Sequence, residues 1–418
     1  MNTKIKVEFK GETIEGILIS ESSDIVSIKL DSGYNANLKK SSIKEISRKN
    51  LNNLNKNSIV SKKSIKKEKL PKITIIHTGG TIASKVDYST GAVSSKFTPE
   101  ELLSLYPELN QIAEISPKMI GNLFSEDMRF AHYNLMLTEI KKAIENQSIG
   151  VIISHGTDTM HYTSAALEYA VKNLPIPILL VGAQRSSDRA SSDAYSNLVT
   201  AVNFIIENSK KLNSYKRVGI CMHNSISDNS FAIFDGINVK KMHSSRRDAF
   251  KQINFLPFAE IENGKIKILR NELLSKNVDK NFSYIKYNEN LKIGFLKAHP
   301  NLFPEEINCL SFYDAVIIEG TGLGHLGINE VDSNTKIHSE NYEALKKLAK
   351  KTKLIMGVQT VYGQTNMNVY SSGRHIIKAG VFGNLMELNT ETLFIRAAYC
   401  LSQKDCSFEE CWVKNLEN

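Results

Sequence analysis

Four short apolar runs, at 73–77, 149–154, 176–182 and 217–222, constrain this chain more than any other feature. Each is five to seven residues rich in apolar side chains, too short for a helix and fit for a strand buried on both faces. Between them, 99–105, 130–146, 159–173 and 191–208 carry helical periodicity. Strands alternating with helices of that length predict a parallel, doubly wound sheet. Residues 231–270 read as a β-rich extension of it. A second alternation begins at 291, with strands at 314–320 and 353–361, a helix over 341–351 and another near 391–402. The expected organisation is a larger α/β domain over 72–272, a lysine-rich connector over 273–290 and a smaller α/β domain over 291–418.

In a parallel sheet the carboxyl ends of the strands share one edge, where such folds keep their chemistry. The residues following the four runs are His77-Thr78-Gly79-Gly80-Thr81, His155-Gly156-Thr157-Asp158, Ala183-Gln184-Arg185 and His223-Asn224-Ser225. Two threonines beside glycines, one followed by a carboxylate, suggest nucleophilic attack on a carbonyl, with turn N–H groups as an oxyanion hole. Simpler readings stand beside this one. Gly79-Gly80-Thr81 fits an ordinary tight turn, and Thr157-Asp158 fits the N-cap of the helix that follows.

The amino-terminal part has a different texture. Residues 4–48 alternate apolar and polar residues in short bursts divided by Gly11, Ser22-Ser23-Asp24 and Asp31-Ser32-Gly33. This predicts four or five short antiparallel strands over 1–50, a small all-β barrel of SH3 or Sm size. Residues 51–71 are rich in Asn, Lys and Ser and read as a flexible basic linker. Residues 37–72 hold twelve Lys or Arg against two acids, which accounts for the net charge of +9. A run of this kind is either a solvated linker or an attraction for nucleic-acid phosphates.

Several function classes are disfavoured. Gly322-Leu323-Gly324-His325-Leu326-Gly327 matches a dinucleotide fingerprint literally, but the residues after it look loop-like until about 341, where a helix is needed. The five cysteines are scattered without zinc-site spacing and read as incidental thiols. No apolar run reaches 18 residues and the first residues lack a secretion h-region, so a cytoplasmic protein without a membrane association is expected.

Taken together, TGGTIA at 78–83 and HGTDT at 155–159 resemble the two signatures of the L-asparaginase family, in order and in spacing. Val86-Asp87-Tyr88-Ser89-Thr90-Gly91 resembles the family's lid, and Ser125-Glu126-Asp127 the segment that grips the substrate's α-amino and α-carboxylate groups. Lys241 falls where the family places a lysine. The resemblance covers about residues 72–400. It implies an asparaginase-like two-domain parallel-sheet fold in which Thr81 attacks a side-chain amide with help from Tyr88. Thr157, Asp158 and Lys241 would form a second triad, and Ser125, Glu126, Gly80 and Gly156 would contact substrate. No metal site is implied.

Within the family, KKMHSSRRDAFKQIN at 240–254, the 182–194 stretch and the β-module resemble the D subunits of archaeal glutamyl-tRNA(Gln) amidotransferases. That branch implies release of ammonia from Gln or Asn for conversion of Glu-tRNA(Gln) to Gln-tRNA(Gln) by a partner, the amidotransferase's E subunit. It further implies a homodimer within a heterotetramer, with ATP and Mg used by the partner and no cofactor in this chain. The alternative is a free-standing cytoplasmic L-asparaginase with an added module. Arg246-Arg247, beside Lys241, fits either a functional role or plain salt bridges.

Overall fold

A computed structural model describes residues 3–30, 35–50, 70–79, 84–86, 93–95, 109–185, 192–212, 214–274 and 281–414. Gly80, Thr81, Tyr88 and the helix expected over 99–105 lie outside the described residues. The chain divides into two compact units, the first essentially residues up to Lys69 and the second from Leu70 onward.

The first unit contains five antiparallel strands: β1 (Thr3–Phe9), β2 (Glu12–Glu21), β3 (Ile25–Leu30), β4 (Asn35–Lys39) and β5 (Ile43–Asn50). They pair in the order β4-β3-β2-β1-β5. Alternation along each strand sends Ile5, Val7, Val26, Ile28 and Leu38 into one small core and leaves the charged residues outside. This is the small β-rich module expected from the sequence; among the described residues no ladder joins β4 to β5, so its pairing is that of an open sheet.

The second unit is built on an eight-stranded sheet. Its parallel part is β9 (Glu114–Leu123), β6 (Lys72–Gly79), β10 (Gly150–Ser154), β11 (Ile178–Val181) and β12 (Val218–His223), in that spatial order. The two three-residue strands β7 (Ser84–Val86) and β8 (Val93–Ser95) pair with each other between β6 and β9 in the chain. Beyond β12 the sheet turns antiparallel through β13 (Ser230–Asp235), a hairpin of β16 (Ala259–Glu262) and β17 (Lys265–Ile268) completing it. The short β14 (Val239–Lys241) and β15 (Phe250–Gln252) pair with each other off this sheet.

Burial on both faces explains the apolar runs. Ile73 and Ile75 of β6, Ile152 of β10 and Leu179 of β11 pack with α3 (Ala194–Glu207). Ile76, Val151, Ile153, Ile178 and Leu180 point the other way, to α1 (Phe130–Glu145) and α2 (Met160–Ala170). Each such side chain contributes about 1.5–3 kcal/mol on leaving water.

A three-stranded parallel sheet follows: β18 (Ile293–Lys297), β19 (Ala315–Gly320) and β20 (Lys353–Val358). It carries α4 (Ile337–Ala349), α5 (Ser371–Lys378), α6 (Thr390–Leu401) and α7 (Phe408–Lys414). Val316 and Ile318 of β19 face a core of this lobe's own. Ala315 and Ile317 face α6 and join the core of the larger lobe.

The sequence reading departs from this structure in identifiable places. Strand β9 is not among the expected strands; Pro117 and Lys118 interrupt its apolar pattern because it is a half-exposed edge strand. Helix α2 stops at Ala170, and Val171–Lys172 pairs instead with Ser283–Tyr284. The described part of the expected connector is therefore anchored, and Tyr287 is buried with its hydroxyl donating to the Ala166 carbonyl at 2.7 Å. Helix α4 starts at Ile337, earlier than expected, behind a turn capped by Asp332. Gly322 and Gly324 form a tight turn at the Thr321–His325 bridge and open no helix. Helices α5 and α7 are likewise absent from the sequence reading.

Candidate active site

The carboxyl ends of β6, β10, β11 and β12 are tied together by side chains before any reacting group is placed. The Thr78 hydroxyl donates to the Ser154 carbonyl at 2.9 Å, and His77 Nδ1 lies 2.6 Å from Ser154 Oγ. On the far side, Asp193 accepts the backbone N–H groups of Gln184 and Arg185 at 3.0–3.1 Å. Asn197 donates to the Gly182 carbonyl at 3.0 Å and accepts from His223 Nδ1 at 2.7 Å. The turns after these strands are thus fixed by buried polar partners.

The loop after β10 holds the reactive group types. His155 is fully buried; its Nδ1 is 2.6 Å from the Gly156 carbonyl and its Nε2 is 2.9 Å from Thr163 Oγ1. A carbonyl only accepts, so Nδ1 carries the proton and Nε2 accepts from the Thr163 hydroxyl. Burial pulls the pKa of His155 down to about 4, which keeps it neutral and makes it a strut for the loop rather than an acid.

Thr157 and Asp158 do not cap the following helix. Helix α2 begins at Met160, and the residue before it, Thr159, donates its hydroxyl to the Ser125 carbonyl at 2.6 Å instead of capping. Thr157, 5% exposed, faces Lys241 from the end of β14. Lys241 Nζ lies 2.8 Å from Thr157 Oγ1 and 2.7 Å from Asp158 Oδ1. The lysine side chain is only 9% exposed whereas that of Asp158 is 67% exposed. The ammonium thus sits largely out of water between a hydroxyl and a carboxylate that opens to solvent. Charge-assisted bonds of this length hold the three groups in a fixed mutual geometry.

Ser125 is buried and its Oγ accepts the Asp158 N–H at 3.2 Å, while Glu126 beside it is exposed. That bond commits the Asp158 N–H, and the His155 N–H is committed to the Val181 carbonyl at 2.9 Å. Gly156 and Thr157 remain as the loop's candidate oxyanion donors. Gly156 permits this approach, because a Cβ there would lie 2.9 Å from Ser125 Cβ. The structure thus brings together Ser125, Gly156, Thr157, Asp158 and Lys241, with Glu126 adjoining; Gly80, Thr81 and Tyr88 lie outside the described residues.

The arginines beside Lys241 form salt bridges. Arg246 pairs with Asp248 through two bonds of 2.9 and 2.8 Å, and Arg247 pairs with Asp228. Sequence reading misses Gly182, where a Cβ would meet Thr157 Cγ2 at 2.8 Å; a glycine closing an apolar strand is its signal. It also misses Asn238 and Asn389, which carry no local signature.

This architecture is that of the L-asparaginases. The thermostable L-asparaginase from Thermococcus kodakarensis superposes with a TM-score of 0.68 over 81% of this chain and 95% of its own, at 24% identity. L-asparaginase I from Vibrio cholerae gives 0.67 over 82% and 96%, also at 24% identity. Residues 72–274 match the family model "Asparaginase, N-terminal", and residues 1–47 match "GatD N-terminal domain".

Whole-chain relatives are more specific. The D subunit of the glutamyl-tRNA(Gln) amidotransferase of Pyrococcus furiosus is 39% identical over 399 residues, 95% of this chain and 86% of that protein. Its counterpart in Methanosphaera stadtmanae is 39% identical over 409 residues, 96% and 88% of the two chains. The chain belongs to the family of glutamyl-tRNA(Gln) amidotransferase D subunits.

Proposed function

We propose that this chain releases ammonia from the side-chain amide of glutamine or asparagine and supplies it to a partner, the amidotransferase's E subunit, that converts Glu-tRNA(Gln) to Gln-tRNA(Gln). The observation that supports this most directly is the bridge of Lys241 between Thr157 and Asp158 at the sheet's carboxyl edge. In this reading Thr81 Oγ attacks the amide carbon, Tyr88 assisting, and the developing oxyanion is met by turn N–H groups. The C–N bond breaks as the nitrogen takes up a proton and leaves as ammonia, giving an acyl-threonine. Water then adds to the ester, and glutamate or aspartate departs as the hydroxyl is restored.

Lys241 serves as the proton shuttle at Thr157, with Asp158 fixing the position of its Nζ through the 2.7 Å contact. Ser125 and Glu126 sit beside the loop to receive the substrate's α-amino and α-carboxylate groups, and Gly80 and Gly156 let it come close. No cofactor is assigned to this chain; ATP and Mg belong to the partner's step. A homodimer of this chain within a heterotetramer is part of the same proposal.

The deciding experiment compares nitrogen sources in the assembled enzyme. Thr81→Ala and Asp158→Asn are each expected to abolish glutamine- and asparagine-dependent transamidation while ammonium chloride still supports it. Loss of the ammonium-dependent reaction as well would refute the division of labour. Rapid amide hydrolysis by the isolated chain, indifferent to partner and tRNA, would favour a free-standing asparaginase.

A further inference from the structure

The three residues preceding Lys241 are all held by the beginning of α6, which belongs to the smaller lobe. Asn238, in the left-handed region at φ +58° and buried, donates its N–H to Thr392 Oγ1 at 3.1 Å. Its side-chain amide donates to the Glu387 carbonyl at 2.9 Å and the Ile253 carbonyl at 3.0 Å, and its Oδ1 accepts the Asn389 N–H at 2.7 Å. Asn389 Nδ2 in turn donates to the Val239 carbonyl at 3.0 Å. Lys240 is ion-paired with Glu391 in the first turn of α6. Thr390 links the same turn to the smaller lobe's sheet, its hydroxyl donating to Glu319 Oε1 of β19 at 3.1 Å.

We propose that Asn238 and Asn389 are positioning residues for the amide-releasing reaction, a latch by which the smaller lobe sets the reach of Lys241 to Thr157 and Asp158. The three-residue strand β14 is too short to fix a lysine by its own ladder; among the described residues it pairs only with β15, through Val239–Gln252, Lys240–Lys251 and Lys241–Phe250. The Val239 carbonyl and both residues beside it, Asn238 and Lys240, are bonded to the start of α6. A side chain carried on so short a strand moves with whatever holds it, and a displacement of about 1 Å at a reacting group costs on the order of a hundredfold in rate. The inference rests on the reading that Lys241 serves amide release.

Asn389→Asp isolates the latch. The variant keeps Oδ1, which caps α6 by accepting the Thr392 N–H at 2.8 Å, and loses only the donor to Val239, setting oxygen against oxygen. In the assembled enzyme, with glutamine and asparagine as probes, kcat for ammonia release is expected to fall about ten- to a hundredfold with KM within about twofold. Glu391→Gln, which removes the ion pair to Lys240 and retains shape, is expected to lower kcat in the same sense.

In a Lys241→Ala background Asn389→Asp is expected to cost nothing further, because the latch acts through the lysine. Asn341→Ala is the control; its amide holds the Leu302 and Gly327 carbonyls elsewhere in the smaller lobe. An unchanged kcat in Asn389→Asp overturns the latch. So does a loss that Asn341→Ala reproduces at equal thermal destabilisation, and so does an additive loss in the double variant. If Lys241→Ala itself retains full ammonia release, the underlying reading of the site fails instead.

Discussion

Gly182 and Thr157 are in contact across the ends of β11 and β10: a Cβ on the glycine would stand 2.8 Å from Thr157 Cγ2 and 2.8 Å from the His155 carbonyl oxygen. Real side chains do not approach so closely, and one of the obstructing atoms is backbone. Gly182→Ala is therefore expected to push the His155–Thr157 turn away from Lys241. Steady-state kinetics should show a loss of at least about tenfold in kcat/KM, with a drop in stability of about 1–3 kcal/mol from overpacking. Wild-type kinetics in this variant would mean that Thr157 is not held by its contact with the strand end.

Lys241 offers a test of proton transfer separate from that of binding. Lys241→Met retains the stem that fills the buried passage and removes the ammonium. A fall of about 10²–10⁴-fold in kcat is expected, the usual yield of a positioned acid or base. Because substrate contacts are assigned to Ser125 and Glu126, KM should move little. A variant that mainly raises KM would assign the lysine to binding.

Four buried histidines give the protein a distinctive acid profile. Burial lowers His77, His155, His161 and His223 to about 4 from the ordinary 6.5. The unfolded chain therefore binds protons at these positions that the folded chain refuses. Stability is full above about pH 6.5 and declines as pH falls toward 4, by up to about 1.4 kcal/mol per pH unit for each such group. Below that window these groups add no further slope. Thermal midpoints recorded from pH 7.5 to 4.5 check this; a midpoint that stays level to pH 5 would show the histidines to be charged in the fold.

Far from the site, Arg217 pairs with two buried carboxylates, lying 2.6 Å from Glu168 and 3.5 Å from Asp235, the latter shared with Arg270 at 3.6 Å. Burial raises the pKa of both acids, and the guanidinium opposes that shift. Arg217→Met is expected to destabilise the fold by about 3–5 kcal/mol, the usual cost of leaving a buried charge unpaired. Chemical denaturation would register it as a lower midpoint, and a change under about 1 kcal/mol would show the pair to be solvated.

The amino-terminal module is expected to serve association more than chemistry, since the basic tract over 37–72 adjoins it. Removal of residues 1–70 should weaken tRNA or partner binding most at low salt and flatten its salt dependence, while basal amide hydrolysis persists. Unaltered complex formation after the deletion would exclude this role.

How much of this is legible in the sequence depends on the kind of force involved. Strands β6, β10, β11 and β12 announce themselves because they are buried on both faces and carry apolar runs. Strand β9 is silent because an edge strand tolerates Pro117 and Lys118. Motifs point to Thr157, Asp158 and Lys241, yet residues 157 and 241 meet only through tertiary folding, and the N-cap reading of Thr157-Asp158 is equally consistent with local sequence. Asn238 and Asn389 are invisible for a related reason. Their work is done by bonds across some 150 residues of chain, and an asparagine with such partners has the same letter as one in a surface turn.

The core shared by the two lobes has a mechanical consequence. Leu393, Ile395 and Trp412 belong to the same buried cluster as Val151, Ile178 and Met222, so neither lobe has a complete interior alone. Melting of residues 70–414 should accordingly be a single cooperative event, with calorimetric and van't Hoff enthalpies in agreement. The smaller lobe is, in this sense, a brace that cannot be borrowed: expressed by itself it would expose the α6 face that now seals its neighbour.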